Sequence, residues 1–360
     1  MFSAFGRRPT GDRKKRIEQS PNYKNGKFVN KNYTPDLNPK YSYWQLLGEY
    51  FKKHIDKNPV AAIPADKVNL NGISPEDNCL IWFGHSSYLI HFAGKRILVD
   101  PVFSGAAAPF SFLLRAYNGA DAYSTEDLPE IDLLILSHDH YDHTDYDTLK
   151  KIKPKVKKVL TSLGVGSHLE YWGYNGDKIT ELDWDESTET DGLLITCTTA
   201  RHFSGRGLYP KSTLWSAFVL ESNHQRIYIG GDSGYDTHFK EIGSRFKSFD
   251  LVILDSGQYH DQWKDIHMVP EETVQAAVDL NAKKLFAVHW SKFTMAHHPW
   301  YEPVERMVKA AEAIDLPYFT TKIGEVVEWN KKIKGDPWWK MTLIKNFYYF
   351  FYPGYNSSIS

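Results

Sequence analysis

The sequence predicts a layered α/β sandwich in a single domain. Short apolar segments recur from Cys79 onward, each bounded by Gly, Ser or Lys, and they have the length and composition of strands. Helical patterns separate some of them, notably at 270–281 and 303–314. Strands interspersed with helices, without heptad repeats or a low-complexity linker inside residues 75–330, favour packed layers around one core.

The candidate strands are distributed along most of the chain. In order they are CLIWFG (79–84), YLIHF (88–92), RILVD (96–100), DLLILS (132–137), KKVLTS (157–162), LLITCTTA (193–200), SAFVLES (216–222), RIYIGGD (226–232), LVILDSG (251–257) and KLFAVHW (284–290).

Composition and charge narrow the class of protein. The chain has 360 residues with 43 basic and 44 acidic side chains, so its charge gives no indication of nucleic-acid binding. Two cysteines are too few for a disulfide framework or a thiolate zinc site. There is no run of 18 apolar residues, and the N-terminus lacks the apolar region of a secretory signal. We expect a cytoplasmic or peripheral-membrane protein; an upstream targeting segment and the oligomeric state stay open.

Residues 1–40 are predicted to form a basic N-terminal arm, because they lack a periodic apolar pattern. Residues 1–35 carry nine Lys or Arg and only two Asp or Glu. This segment is therefore a candidate electrostatic tether to an anionic membrane. The alternative is that the arm wraps the domain and that its charges are ordinary solvated ones.

Residues 41–74 are expected to form a helical lead-in, and residues 334–360 an aromatic tail. The lead-in carries an apolar stripe that either packs on the core or contacts a membrane surface, and it consists of Trp44, Leu47, Phe51 and Ile55. The tail either meets a membrane interface or covers the domain, and its aromatic residues are Trp338, Trp339, Phe347, Tyr348, Tyr349, Phe350, Phe351 and Tyr352.

The strongest chemical signal follows the candidate strand at 132–137. The segment SHDHYDH (137–143) places His138, His140, Asp142 and His143 in an H-x-H-x-D-H pattern. Two histidines at i and i+2 can converge on one cation, and the adjacent Asp142 and His143 can face a second one. Imidazole and carboxylate together suit Zn²⁺, Mn²⁺ or Fe²⁺, whereas a purely structural zinc usually has thiolate ligands.

Three further candidate ligands lie at the ends of apolar strands. His202 follows 193–200, Asp232 follows two glycines that allow a tight backbone turn, and His289 ends an apolar strand. Taken singly, a histidine in such a place is usually an ordinary packed or surface residue. As an ordered set after the H-x-H-x-D-H loop, the three predict a two-metal site at an edge where strand ends converge.

This ordered set resembles the metallo-β-lactamase superfamily, whose fold is a four-layer αβ/βα sandwich. The resemblance covers residues 75–330, and we place the catalytic domain at 75–333. It implies two Zn²⁺ per chain, with Mn²⁺ or Fe²⁺ as alternatives. The implied ligands are His138, His140 and His202 for the first metal, Asp142, His143 and His289 for the second, and Asp232 as a bridge between them.

Within the superfamily, the chain is similar to the branch of N-acyl-phosphatidylethanolamine-hydrolysing phospholipase D and its bacterial relatives. That similarity implies a phosphodiesterase that acts on such phospholipids through a metal-bridging hydroxide, with Asp142, Asp232 and His267 as catalytic residues. The segments that carry it are HDHYDHTD (138–145), GGDSGYDTHFKEIGSRF (230–246), FDLVILDSGQY (249–259), VPEETVQAAVDL (269–280) and AVHWSKFTMAHHPWYEPVERM (287–307).

Three residues are candidates for substrate contact: His85 in FGHSS, Tyr259 in GQY and His267 in DIHMVP. For each, the alternative is an ordinary packed or ligand-orienting side chain. Two other functions stay open. One is a lactonase with the same metal pair and a different pocket; the other is a non-catalytic binding protein on the same fold, against which the seven filled ligand positions argue.

Overall fold

Two seven-stranded mixed sheets form the centre of the molecule. The structure is a computed structural model, and it describes residues 2–35, 37–42, 44–45, 48, 56–207, 209–333 and 335–343. The strands in these ranges, in chain order, are β1 (Tyr23–Lys24), β2 (Lys27–Phe28), β3 (Leu80–Trp82), β4 (Tyr88–Phe92), β5 (Lys95–Val99), β6 (Ile131–Leu136), β7 (Val156–Ser162), β8 (Ile179–Leu182), β9 (Ser187–Thr190), β10 (Leu193–Thr198), β11 (Gly205–Arg206), β12 (Tyr209–Pro210), β13 (Ala217–Ser222), β14 (Gln225–Ile229), β15 (Leu251–Asp255), β16 (Leu285–Val288), β17 (Tyr318–Phe319) and β18 (Val326–Val327).

Helices fill several of the connections between strands. The α-helices with both ends in the described residues are α1 (Gly11–Gln19), α2 (Tyr146–Ile152), α3 (Gly166–Tyr171), α4 (His238–Phe246), α5 (Pro270–Asp279) and α6 (Glu302–Glu312). Short 3₁₀ helices lie at Phe2–Phe5, Leu70–Gly72, Lys153–Lys155, Gly176–Lys178 and Asp261–Trp263. In this part of the chain, no helix combines the length and the apolar character that crossing a membrane requires.

The two sheets share one pattern of strand directions. In the first, ordered β18-β3-β4-β5-β6-β7-β8, pairing is antiparallel as far as β5 and parallel from β5 to β8. In the second, ordered β17-β16-β15-β14-β13-β10-β9, pairing is antiparallel from β9 to β14 and parallel from β14 to β17. The molecule therefore contains a structural repeat that the sequence does not display.

The sheets pack face to face across an apolar core. Trp82 of β3 contacts Phe286 of β16 edge to face, with ring centroids 6.1 Å apart, and Trp290 at 5.2 Å. Every residue of β15 is buried, and α5 packs on β15 and β16. The predicted α/β fold class is confirmed, and each candidate strand of the sequence overlaps an observed strand.

The N-terminal arm contains regular secondary structure that its sequence pattern did not indicate. Residues 2–35 contain α1 and the β1–β2 hairpin, and Ile17 and Phe28 belong to the main core. The basic side chains Arg13, Lys14, Lys15, Arg16 and Lys31 are all in ion pairs. The arm thus wraps the domain, and much of its positive charge is paired with carboxylates.

The lead-in and the tail are described only in part. Trp44 is 81% exposed, whereas Leu47, Phe51 and Ile55 lie outside the described residues, as do the tail aromatics at 347–352. Trp338 is buried and stacks on Trp290 with ring centroids 5.5 Å apart. Trp339 is buried as well, so the start of the tail covers the domain. The predicted boundaries at residues 40, 74 and 333 stay predictions.

Trp82→Ala tests the packing between the two sheets. The substitution removes a side chain that is 1% exposed, and with it the hydrogen bond that Trp82 Nε1 donates to His85 O at 2.8 Å. We expect the free energy of unfolding, measured by urea denaturation, to fall by about 3–5 kcal/mol. Val278→Ala, at an exposed position of α5, is the control, with an expected change below about 0.5 kcal/mol. Similar losses in both variants would contradict this account of the core.

Candidate metal centre

Polar residues from both sheets meet at one edge of the sandwich. All of them come from loops that directly follow strands, where the backbone is free to turn away from the sheet. The first sheet supplies His85 after β3 and residues 138–143 after β6, called here the metal-ligand loop. The second sheet supplies His202 after β10, Asp232 after β14 and His289 after β16.

Three imidazoles form the first group of potential ligands. His138 Nε2 lies 2.9 Å from His140 Nδ1, which lies 3.2 Å from His202 Nε2. The remaining nitrogens of two rings have other partners. His138 Nδ1 is 3.0 Å from Ser137 Oγ, and His202 Nδ1 donates to Ile266 O at 2.9 Å. These contacts fix the ring orientations so that one nitrogen of each ring faces a common point.

A second group lies beside the first and contains His85, Asp142, His143 and His289. Each of these residues offers one ligand atom, and these atoms all lie within 4.8 Å of one another. His85 Nε2 donates to Asp142 Oδ2 at 2.9 Å, and His143 Nε2 lies 3.5 Å from the same oxygen. The structure therefore brings together the three residues that the sequence predicts for a second metal, and adds His85 to them.

Asp232 lies between the two groups. Its Oδ2 is 3.8 Å from His138 Nε2 and 3.7 Å from His202 Nε2 in the first group. The same oxygen is 3.0 Å from His143 Nε2, and Oδ1 is 3.2 Å from His289 Nδ1, both in the second group. A carboxylate in this position can contact two ions at once, which is the bridging role that the sequence predicts for it.

Backbone geometry explains why Asp232 follows a glycine. Gly231 has a φ of +59°, and a Cβ at this position would lie 3.0 Å from both Ser137 Cβ and Ser216 O. A larger residue would therefore have to adopt a left-handed φ and displace Ser137 or Ser216. His85 and His289 also have left-handed φ angles, of +54° and +70°, and His289 N donates to His85 O at 3.0 Å. Such strained positions are typical of functional sites.

Two buried carboxylates, which the sequence analysis did not single out, support the metal-ligand loop. Asp100 Oδ2 accepts hydrogen bonds from His143 Nδ1 at 2.8 Å and from Ser137 Oγ at 2.6 Å. Asp139 Oδ1 accepts from Gly205 N at 2.7 Å. Although burial opposes ionisation, the hydrogen bond from His168 lowers the pKa of Asp139 to about 2. The hydrogen bonds of both carboxylates thus hold the loop in place.

The arm also contacts a potential ligand directly. Asn30 Nδ2 donates to His202 O at 2.7 Å, and Asn30 Oδ1 accepts from His202 N at 3.1 Å. Arg206 links the arm to the metal-ligand loop, because its Nε donates to Ala4 O at 2.6 Å and its Nη1 to Asp139 O at 2.8 Å. No local sequence signal indicates these contacts, since the residues are far apart along the chain.

The remaining predicted residues have different surroundings. His267 lies beside both groups, with its ring 4.9 Å from that of His202 and 5.0 Å from that of His289, and its Nδ1 donates to Asp255 Oδ2 at 2.7 Å. Burial opposes charging of this imidazole, yet the Asp255 carboxylate raises the pKa of His267 overall. Tyr259 is directed elsewhere, because its hydroxyl donates to Glu302 Oε1 at 2.7 Å.

The three predicted substrate contacts differ in their exposure and hydrogen bonding, and their roles stay predictions. His85 has no exposed surface, and its Nε2 donates to the carboxylate of Asp142. Tyr259 already donates its phenolic proton within the protein. Of the three, only His267 both lies beside the ligand groups and has part of its surface exposed, at 9%.

The donor set fits a divalent cation. Burial lowers the pKa values of His138, His202 and His289 well below the ordinary value, so these imidazoles are neutral and can coordinate through a lone pair. His143 Nε2, His289 Nε2 and Asp232 Oδ1 are buried without a hydrogen bond, although His143 Nε2 lies close to the other Asp232 oxygen. Unpaired buried polar atoms cost about 1–3 kcal/mol each, and coordination of a metal removes that cost.

Comparison with known proteins agrees with this geometry. The family model of the beta-lactamase superfamily domain matches residues 95–290. The chain belongs to the beta-lactamase superfamily. An uncharacterized protein of Mycobacterium tuberculosis is 38% identical over 333 residues, which cover 90% of this chain and 88% of that protein. A Caenorhabditis elegans protein named N-acyl-phosphatidylethanolamine-hydrolyzing phospholipase D 1 is 30% identical over 313 residues, covering 78% and 88%.

A solved structure of a metallo hydrolase has the same fold. A metallo hydrolase from the archaeon Ignicoccus hospitalis superposes with a TM-score of 0.54 at 20% identity, covering 69% of this chain and 97% of that one. The predicted metallo-β-lactamase-like sandwich is thus confirmed. Together with the His and Asp cluster, membership of this superfamily makes the protein a metal-dependent hydrolase.

Asp232→Asn tests the bridging carboxylate. The amide is neutral and removes the one anion that faces both ligand groups, so we expect metal binding to weaken by about 100-fold or more. Metal content after dialysis, measured by inductively coupled plasma mass spectrometry, gives the readout, and circular dichroism checks the fold. Glu189→Gln, at an exposed position in β9, is the control. Unchanged metal content in Asp232→Asn would exclude the bridging role.

Proposed function

We propose that the protein is a dinuclear zinc phosphodiesterase that hydrolyses N-acyl-phosphatidylethanolamine-like phospholipids in the manner of a phospholipase D. The main support is the relationship to the Caenorhabditis elegans protein of that name, at 30% identity over 78% of this chain. The two adjacent ligand groups add support, because imidazole and carboxylate ligands suit Zn²⁺. A phosphodiester has two non-bridging oxygens, which a pair of cations can bind together.

Each of the two ligand groups would bind one metal ion. His138, His140 and His202 would hold one ion, Asp142, His143 and His289 would hold the other, and Asp232 would contact both. When bound, the pair would supply an activated water as nucleophile and polarise the phosphate. The chain's own contribution is orientation: Asp100 fixes the ring of His143 through Nδ1, and His85 fixes the carboxylate of Asp142.

His267 is the residue that we assign to the substrate. Asp255 accepts a hydrogen bond from Nδ1 of His267. His267 also lies close to His202 and Asp232, since one ligand atom of each of the three residues lies within 4.8 Å of the other two. A substrate phosphate bound near Asp232 would lie within reach of this imidazole. His267 can donate a hydrogen bond to the phosphate or to the leaving alcohol, and Asp255 is its positioning residue.

A hydrolysis screen tests the substrate class. Metal-reconstituted protein is incubated with N-acyl-phosphatidylethanolamine in mixed micelles, with bis(4-nitrophenyl) phosphate and with a γ-lactone. We expect the phospholipid to give phosphatidic acid and N-acylethanolamine, detected by mass spectrometry, because cleavage falls between phosphorus and the head-group alcohol. Turnover of the lactone without turnover of either phosphodiester would overturn the proposal in favour of a lactonase. Absence of turnover in the metal-loaded protein would favour a binding protein.

His267→Ala separates substrate contact from metal binding. We expect kcat to fall by about 10²–10⁴-fold, the usual contribution of a positioned acid or base, while metal content stays at the wild-type level. His224→Ala, at an exposed turn between β13 and β14, is the matched control and should keep wild-type kcat. Loss of metal in His267→Ala equal to that in Asp232→Asn would show that His267 is itself a ligand.

A further inference from the structure

Residues 105–116 form a projecting hairpin with an apolar tip, called here the apolar hairpin. Ala106 pairs with Arg115 in an antiparallel bridge, and Ala107 N donates to Leu114 O at 3.0 Å. At the tip, Phe112 is 71% exposed, and Leu113 and Leu114 are 44% and 37% exposed. Contiguous exposed apolar side chains of this size are uncommon on soluble surfaces and mark interaction sites.

The apolar hairpin is fixed next to the metal-ligand loop. At its base, Ser104 N donates to Asp145 Oδ2 at 3.0 Å, and Asp145 directly precedes α2. Near its tip, Phe110 lies 6.2 Å from the ring of Phe5, and Phe5 lies 6.5 Å from the ring of Tyr141. Tyr141 stands in sequence between the ligands His140 and Asp142. The apolar tip and the candidate metal centre are therefore close neighbours on the surface.

Exposed cations lie on the hairpin itself and in the arm segment that contacts it. Arg7 and Arg8 follow Phe5, are exposed, and form no ion pair with any described carboxylate. The guanidinium of Arg8 lies 4.6 Å above the ring of Tyr209, which is itself 51% exposed. Arg115 is exposed beside Leu114, and residues 105–116 contain no acidic side chain.

Two exposed acids lie near the hairpin. Asp121 lies at its base, where its Oδ2 is 3.0 Å from the Cβ position of Gly105, and it is paired with Lys292. Asp147, in α2, lines the same cavity as Ala108 and Ser111.

We propose that the apolar hairpin, together with Arg7 and Arg8, docks the protein onto an anionic phospholipid bilayer. An exposed apolar tip, with Arg115 beside it and two arginines in the adjoining arm segment, complements an interface in which acyl chains lie below anionic head groups. Pairing of this face with a second copy is less suitable, because a two-fold contact would bring like charges together. The proposal rests on the proposed function in one respect. Docking would bring the Tyr141 side of the metal-ligand loop to the lipid surface, which serves the reaction only if the substrate is a lipid.

Vesicle co-sedimentation tests the proposal without depending on hydrolysis. The probe is phosphatidylcholine vesicles with and without phosphatidylglycerol, at low and high NaCl. We expect wild-type protein to bind the anionic vesicles, and the Phe112→Ser/Leu113→Ser variant to bind them at least about tenfold more weakly. Arg7→Glu/Arg8→Glu should lose the salt-sensitive part of the binding. Phe112→Trp retains an apolar ring and should bind like wild type.

The matched control is Val278→Ser/Ile314→Ser, which removes two exposed apolar side chains of 41% and 53% exposure elsewhere on the surface. It should bind vesicles like wild type. The proposal is overturned if wild-type protein does not bind, if the Phe112→Ser/Leu113→Ser variant binds normally, or if the control loses binding equally. Conversion of a wild-type dimer into monomers by the hairpin variant, without vesicle binding, would instead identify a face for self-association.

Hydrolysis in detergent micelles keeps this test separate from the proposed function. If wild-type protein binds vesicles but does not cleave phospholipid in micelles, the docking surface is supported and the proposed activity is contradicted. If it cleaves phospholipid in micelles but does not bind vesicles, the activity is supported and the docking surface is contradicted.

Discussion

The arrangement depends on one buried carboxylate, Asp232, which faces imidazoles from both sheets. His138 and His143 reach it from the first sheet, whereas His202 and His289 reach it from the second. Elsewhere the sheets meet through apolar rings such as Trp82 and Phe286. At this edge the contact between the sheets is polar and has buried atoms without hydrogen bonds. A bound cation satisfies those atoms, so metal binding and the closure of this edge are thermodynamically linked.

The arm belongs to this arrangement as much as the loops do. Asn30 binds both backbone groups of His202, and the carbonyl of Ala4 accepts from Arg206, which also holds the backbone of Asp139. Arg13 adds ion pairs to Glu170 and Glu181. Residues 2–35 therefore position a potential ligand and the metal-ligand loop, which a flexible tether could not do.

The sequence was informative where the relevant pattern is local. Apolar runs such as 132–137 predict strands without knowledge of their neighbours, and H-x-H-x-D-H concentrates four candidate ligands in six residues. Contacts between distant residues could not be predicted in this way. Asn30 and His202 are separated by 172 residues. The contact between Asp100 and His143 likewise exists only because β5 and β6 are paired.

Side-chain direction was the second limit of the sequence. His85 and Tyr259 are candidate substrate contacts because of their neighbours in the chain, which do not reveal that His85, at a left-handed φ, donates to Asp142. Tyr259 instead bonds to Glu302 on α6. Helix α1 was missed because most of its residues are polar, with Ile17 as its buried residue. Its stability comes from packing on the domain, which overrides a weak local pattern.

The metal centre and the apolar hairpin share one rigid support, and this constrains how a large substrate could approach. The base of the hairpin is bonded to Asp145 and Thr148 of the segment that follows the metal-ligand loop, and Phe5 of the arm lies between Phe110 and Tyr141. The exposed tip and the ligand loop therefore have a fixed relative orientation. A surface that contacts the tip therefore always faces the same side of the metal centre. Because folding already fixes this alignment of surface and centre, no further entropy is lost in orienting the centre when the tip binds.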